Sequence, residues 1–199
     1  MYHSLMNILS YIKRKTIFHI LLLIITILTS NKGFTMENKL IMKLKYGEVE
    51  IELFPEDAPN HVERILKLAK EGKYNGVAFH RVIEGFMAQT GDVKFGNSNS
   101  KDFNLSLAGT GGSDMPDLKS EFSDIPHDRG VLSAARSADP NSANSQFFIC
   151  FESAPHLDRQ YSAFGKVIKG MEFVDKIKKG EGPNGSVRSP DKIISLTEK

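Results

Sequence analysis

Between Leu40 and Leu53 an apolar side chain recurs at every second position on either side of a short break. Leu40, Met42 and Leu44 come first; beyond Tyr46-Gly47 stand Val49, Ile51 and Leu53. Glu48, Glu50 and Glu52 occupy the alternate places. Successive side chains of a strand point to opposite faces, so a period of two on both sides of a glycine-containing turn predicts an antiparallel hairpin. One of its faces is buried and the other wet.

The pattern then changes. Asp57-Ala58-Pro59 offers an N-cap candidate and a first-turn proline. Val62, Ile65, Leu66 and Ala69 follow at helical spacing, and Lys67, Lys70 and Gly72 mark the end. Short apolar runs come next, separated by glycine, proline and polar clusters: Ala78–Ile83, Phe86–Gln89, Val131–Ala135, Gln146–Phe151 and Ala163–Val167. Met171–Lys178 reads as a second helix and Lys192–Leu196 as a last strand. The stretch Gly91–Asp117, rich in Gly, Ser, Asn and Asp, reads as a long surface loop. Many short strands with two helices predict a mainly β domain, a closed β-barrel with helices at its ends.

Charge and cysteine content exclude several functions. The chain of 199 residues carries a net charge of +2, but residues 1–36 hold Lys13, Arg14, Lys15 and Lys32 and no acid. The remainder is therefore slightly acidic, and nothing in it concentrates the positive charge that nucleic-acid binding needs. Cys150 is the only cysteine, so no internal disulfide forms; within Phe147-Phe148-Ile149-Cys150-Phe151 it reads as a small buried hydrophobe rather than a nucleophile. The six histidines show no metal-ligand spacing, and no Gly-x-Ser-x-Gly or phosphate-loop ending occurs.

Two stretches exceed what packing requires: Phe79-His80-Arg81-Val82-Ile83-Glu84-Gly85-Phe86-Met87-Ala88-Gln89 and Asn144-Ser145-Gln146-Phe147-Phe148-Ile149. Strict alternation does not bring Phe86, Met87 and Gln89 to one side unless a strand end intervenes. With Gly109-Thr110-Gly111-Gly112 between them and Phe164-Gly165-Lys166-Val167 after, these motifs resemble the cyclophilins over about Leu40 to Leu196. The resemblance implies a closed eight-stranded antiparallel β-barrel capped by two α-helices, and peptidyl-prolyl cis/trans isomerase activity without metal or cofactor. It implies Arg81 as the catalytic residue and Phe86, Met87, Phe148 and Leu157 as the pocket for the substrate proline. Gln89 would bond the substrate backbone, Ala135 and Arg136 would offer main-chain groups, and Gln146 would support the arginine. His156 and Tyr161, at the rim, stand where many relatives carry tryptophan and histidine. Implied partners are proline-containing peptides and unfolded or folding proteins, with cyclosporin bound weakly. Without the resemblance, Arg81 reads as a salt-bridged surface residue and His80 as a hydrogen-bonded structural one. A peptide-binding chaperone with little turnover would use the same pocket.

Ahead of the domain assigned to 37–199, residues 1–36 read as a signal peptide or membrane anchor. Lys13-Arg14-Lys15 precedes an apolar run from Ile17 to Leu28, too short for a span of ~20 residues and suited to a signal core. Cleavage gives an exported, periplasmic protein, retention an anchored one, and initiation at Met36 a cytoplasmic one; export is the favoured expectation. Fractionation of cells expressing the native gene, with N-terminal sequencing, is expected to find the mature domain outside the cytoplasm. A cytosolic product beginning at Met36 would end that reading.

Overall fold

The computed structural model describes residues 38–199; the predicted signal or anchor lies outside them. Strands β1 (Lys39–Leu44) and β2 (Gly47–Leu53) form the expected hairpin, with Leu40 opposite Ile51 and Met42 opposite Val49. Their apolar faces lie in one core with Val62, Ile65, Phe79, Ala88, Leu132, Phe147, Ile149 and Phe164.

Helix α1 (Pro59–Lys70) packs against the sheet through Val62, Ile65, Leu66, Leu68 and Ala69. Its N-cap is Ala58, whose side chain cannot cap, and Asp57 takes no part. The role passes to Glu121, distant in sequence, whose carboxylate accepts the backbone N–H groups of Asn60 and His61, each at 3.1 Å. The same carboxylate meets His61 Nδ1 at 2.5 Å. An anion at the amino end of a helix satisfies orphan donors and suits the helix dipole.

The other strands are β3 (Arg81–Ile83), β4 (Met87–Thr90), β5 (Val131–Ala134), β6 (Phe147–Cys150), β7 (Ala163–Lys169) and β8 (Ser195–Glu198). They form one antiparallel sheet in the order β3-β4-β6-β5-β7-β2-β1-β8. The predicted closed barrel is thereby corrected: the sheet is an open half-barrel curling through 201°, and β3 and β8 remain separate edges. Closure would need a ladder between them. Instead the chain leading into each meets the other through one isolated bridge, Ala78 to Lys192, with Ile193 N–H bonded to Val77 O at 2.9 Å. Residues 192 and 193 are thus engaged outside the sheet, and the last strand starts later than the apolar pattern suggested.

The second helix, α2 (Met171–Val174), is one turn long and stops well short of Lys178. Two contacts explain the stop. Lys178 N–H donates to Asp191 at 2.9 Å and Gly180 N–H to Val82 O at 2.9 Å, so the chain must turn away from the helix axis. The stretch from Gly91 to Asp117 holds no strand, as expected of the long loop.

Glu50, expected on the wet face of the hairpin, is only 7% exposed. Lys199, Lys169 and Lys39 converge on its carboxylate at 2.9, 3.3 and 3.5 Å. The Lys199 bond is the main reason that its pKa falls from 4.5 to about 2. A carboxyl titrating lower in the folded than in the unfolded chain stabilises above the unfolded value and loses that effect as pH falls through the folded one. Glu50→Gln should therefore lower the melting temperature at neutral pH, and the difference from wild type should close between pH 4.5 and about 2. A difference unchanged across that window would count against the lysine cluster; so would one insensitive to salt.

Candidate functional site

Strand β4 carries two populations of side chains. Ala88 enters the main core, whereas Met87 joins a second apolar cluster with Phe148, Cys150, Ala154 and Leu157. On β6, Phe147 and Ile149 face the core and Phe148 and Cys150 the second cluster. Phe86 escapes the alternation because it sits in the turn before β4, its N–H bonded to Ile83 O at 3.1 Å. A strand end therefore brings Phe86 and Met87 to one side.

Above this cluster opens a cavity of about 170 Å³ lined by Arg81, Phe86, Met87, Gln89, Ala135, Arg136, Phe148, Leu157 and Tyr161. Its floor is apolar: Phe148 is 5% exposed and meets Tyr161 edge to face, with ring centroids 5.7 Å apart. His156 lies outside it, stacked obliquely on Phe86 at 5.5 Å. Gln146 lines an adjoining polar depression of about 430 Å³ with Gly109 to Ser113, Ser142 and Asn144. Gln89, Ala135 and Arg136 border both hollows.

Arg81 is held in place by uncharged groups and makes no ion pair among the described residues. Its Nε donates to Asn184 O at 3.1 Å and its Nη1 to Gln89 Oε1 at 3.2 Å. Gln89 Nε2 in turn donates to Gln146 Oε1 at 3.0 Å, and Gln146 Nε2 donates to Gly109 O at 3.0 Å and Gly111 O at 2.7 Å. The order dictates which way each amide faces. Two carbonyls demand the Gln146 amino group, which turns Oε1 toward Gln89, which turns its own oxygen toward Arg81. The guanidinium offers five N–H donors, and among the described residues Nη2 has no partner, so it stays available. Partial burial lowers the Arg81 pKa, yet an arginine keeps its charge.

Asn184 had no signature in side-chain chemistry, because its contribution is a carbonyl. Its turn signal, Pro183-Asn184-Gly185, was readable. That turn must carry glycine: Gly185 has φ +67°, and a Cβ there would lie 2.5 Å from Ile83 Cγ1 and 2.8 Å from Val82 O. Arg136 caps the divide between the hollows, its guanidinium 4.4 Å from the Tyr161 ring centroid and its Nη2 bonded to Gln160 O at 3.1 Å. His80 departs from expectation. Both its ring nitrogens are buried without a partner among the described residues, and burial lowers its pKa. Burial also pushes the Cys150 thiol up to about 12, which leaves no thiolate for nucleophilic chemistry.

The described domain coincides with known proteins. The sequence profile of the family described as "Cyclophilin type peptidyl-prolyl cis-trans isomerase/CLD" matches residues 39–198. A probable peptidyl-prolyl cis-trans isomerase of Brucella suis is 61% identical over 162 residues, 81% of this chain and 82% of that protein. Among solved structures, a cyclophilin from Hirschia baltica superposes with a TM-score of 0.68 at 29% identity, covering 81% of this chain and 74% of the other. A cyclophilin-type isomerase of Cryptosporidium parvum, crystallised in the presence of the dipeptide Ala-Pro, gives a TM-score of 0.68 at 27% identity over 81% of this chain and 98% of its own.

Proposed function

The chain belongs to the cyclophilin-type peptidyl-prolyl cis-trans isomerases, and from that membership we propose that Arg81 catalyses the rotation of X-Pro bonds whose proline ring sits in the cavity beside it. The single observation that carries this reading is the aimed but unfilled guanidinium at the rim of an apolar hollow of about 170 Å³.

Amide resonance sets a barrier of ~18–20 kcal/mol to this rotation. Both isomers of X-Pro are populated, but they interchange over tens to hundreds of seconds. No bond to carbon breaks, so neither nucleophile nor metal is required. The cavity walls Phe86, Met87, Phe148 and Leu157 grip the ring while the preceding carbonyl turns. As the amide twists, the prolyl nitrogen becomes pyramidal and gains a lone pair. A donor from Arg81 stabilises that lone pair and so favours the twisted state over either planar isomer. Only such a difference accelerates the step, and about 7 kcal/mol of it corresponds to about 10⁵-fold. Donors fixed before the reaction need no reorganisation when charge develops.

Gln89 serves mainly to aim Arg81, since its oxygen is committed there; one amide hydrogen remains for the substrate backbone. Ala135 and Arg136 border the hollow where the residues before proline would lie. Substrates on this reading are proline-containing peptides and folding proteins, in keeping with the Ala-Pro dipeptide named for the Cryptosporidium parvum relative. Export rests on the basic flank and apolar run of residues 1–36, as does any membrane contact. His156 gives the rim a smaller ring than tryptophan, without the indole N–H, and cyclosporin should bind weakly.

Two measurements test the assignment. In an exchange assay on a proline-containing peptide, Arg81→Ala should lower kcat/KM about 100- to 1,000-fold, the scale for loss of one transition-state donor. Arg81→Lys should recover little of it, because the planar fork is lost. Wild-type rates in Arg81→Ala would end the mechanism. In a titration of the purified domain, cyclosporin should inhibit poorly, and nanomolar inhibition would contradict the role given to His156.

A further inference from the structure

Behind the proline cavity runs a chain of polar groups, buried at Ser133 and His127 and partly exposed at Asp158. His127, 1% exposed, places Nδ1 at 2.9 Å from Asp158 Oδ1 and Nε2 at 3.0 Å from Ser133 Oγ. Its backbone N–H also donates to Asp158 Oδ1 at 2.8 Å. The carboxylate only accepts, so Nδ1 carries a proton, and in the neutral ring Nε2 then accepts from the Ser133 hydroxyl. The order of partners is that of a hydrolase triad, but Ser133 is 0% exposed and no substrate reaches it. Hydrolysis is ruled out by access.

The surroundings of the imidazole indicate another use. One edge holds Ser133 on β5, two residues before Ala135 at the cavity wall. One face stacks on Phe148, the cavity floor, with centroids 6.4 Å apart and planes at 22°. The other edge holds Asp158, which ends the one-turn 3-10 segment Pro155–Leu157 and so fixes Leu157, a second wall. His127 O accepts the N–H of Ala154 at 2.8 Å, securing the start of that turn. Floor and two walls thus share one brace, while Arg81 is aimed by hydrogen bonds to Gln89 and Asn184 that do not involve His127, its one contact with the cluster being Nη1 to Met87 Sδ at 3.9 Å.

We propose that His127 is a positioning residue that sets the width of the proline cavity, governing how tightly the ring is held and not how fast the bound amide turns. The inference rests on the cavity being the proline site. Ser133→Ala removes one edge of the brace; His127→Phe keeps a ring against Phe148 and removes both edges. NMR titration of a proline-containing peptide gives the dissociation constant, and exchange spectroscopy on the saturated complex gives the turnover of the bound peptide. His127→Phe should weaken binding about tenfold, as loss of buried hydrogen bonds would. Ser133→Ala should weaken it less, and both should exchange the bound peptide within about twofold of wild type. Should His127→Phe not fold, Ser133→Ala decides alone. Wild-type affinity in a folded variant, even with a lowered melting temperature, overturns the proposal. So does a variant that slows bound exchange more than it weakens binding. Arg81→Ala, run alongside, should do the reverse; if it leaves bound exchange intact, the catalytic assignment fails whatever the brace variants do.

Discussion

The pairing of β4 with β6 is the constraint on which the site depends. Met87 stands opposite Cys150 and Gln89 opposite Phe148, while Ala88 faces Ile149. Because side chains alternate, a slip of β4 by one residue would send Ala88 into the cavity and turn Met87 and Gln89 toward the hydrocarbon core. The core forbids that slip: Ala88, Phe147 and Ile149 pack with Leu132 and Phe164 and have no polar tolerance. Core packing therefore selects the register, and the register delivers a thioether, an amide and a phenyl ring to the working face.

On that face, polar order is imposed from outside inward. The carbonyls of Gly109 and Gly111 come from the long loop, and Asp92, fully buried, pins that loop by accepting N–H groups of Gly109 and Gly111 at 2.8 and 2.9 Å. A carboxylate with several backbone donors is a strong local anchor. From the loop the order passes through two glutamines to the guanidinium. The irregular segment is thus part of the framework that aims Arg81, in line with the general tendency of long ordered loops to carry function.

Much of this was legible in the amino-acid sequence, for identifiable reasons. The hairpin and α1 announced themselves because alternation and helical spacing are local properties. The helix cap was misassigned because Glu121, which supplies it, is remote in the chain. Closure of the barrel was misjudged because strand number does not say whether the edges meet; residues 78–79 and 192–193, read as parts of strands, instead meet through one isolated bridge and a few backbone bonds. The cavity-lining residues were named from motif resemblance, and alternation alone placed Phe86 wrongly until a turn was allowed before β4. Asn184 and the brace of Ser133, His127 and Asp158 were invisible, one because it acts through its backbone, the other because its members lie on separate elements.

The glutamine pair has one more implication. A carboxamide neither gains nor loses a proton in the range where proteins stay folded, and the guanidinium it steers stays cationic throughout. Steering by histidine or aspartate would have tied turnover to ambient acidity. Built from carboxamides, the aiming of Arg81 is itself blind to hydronium concentration.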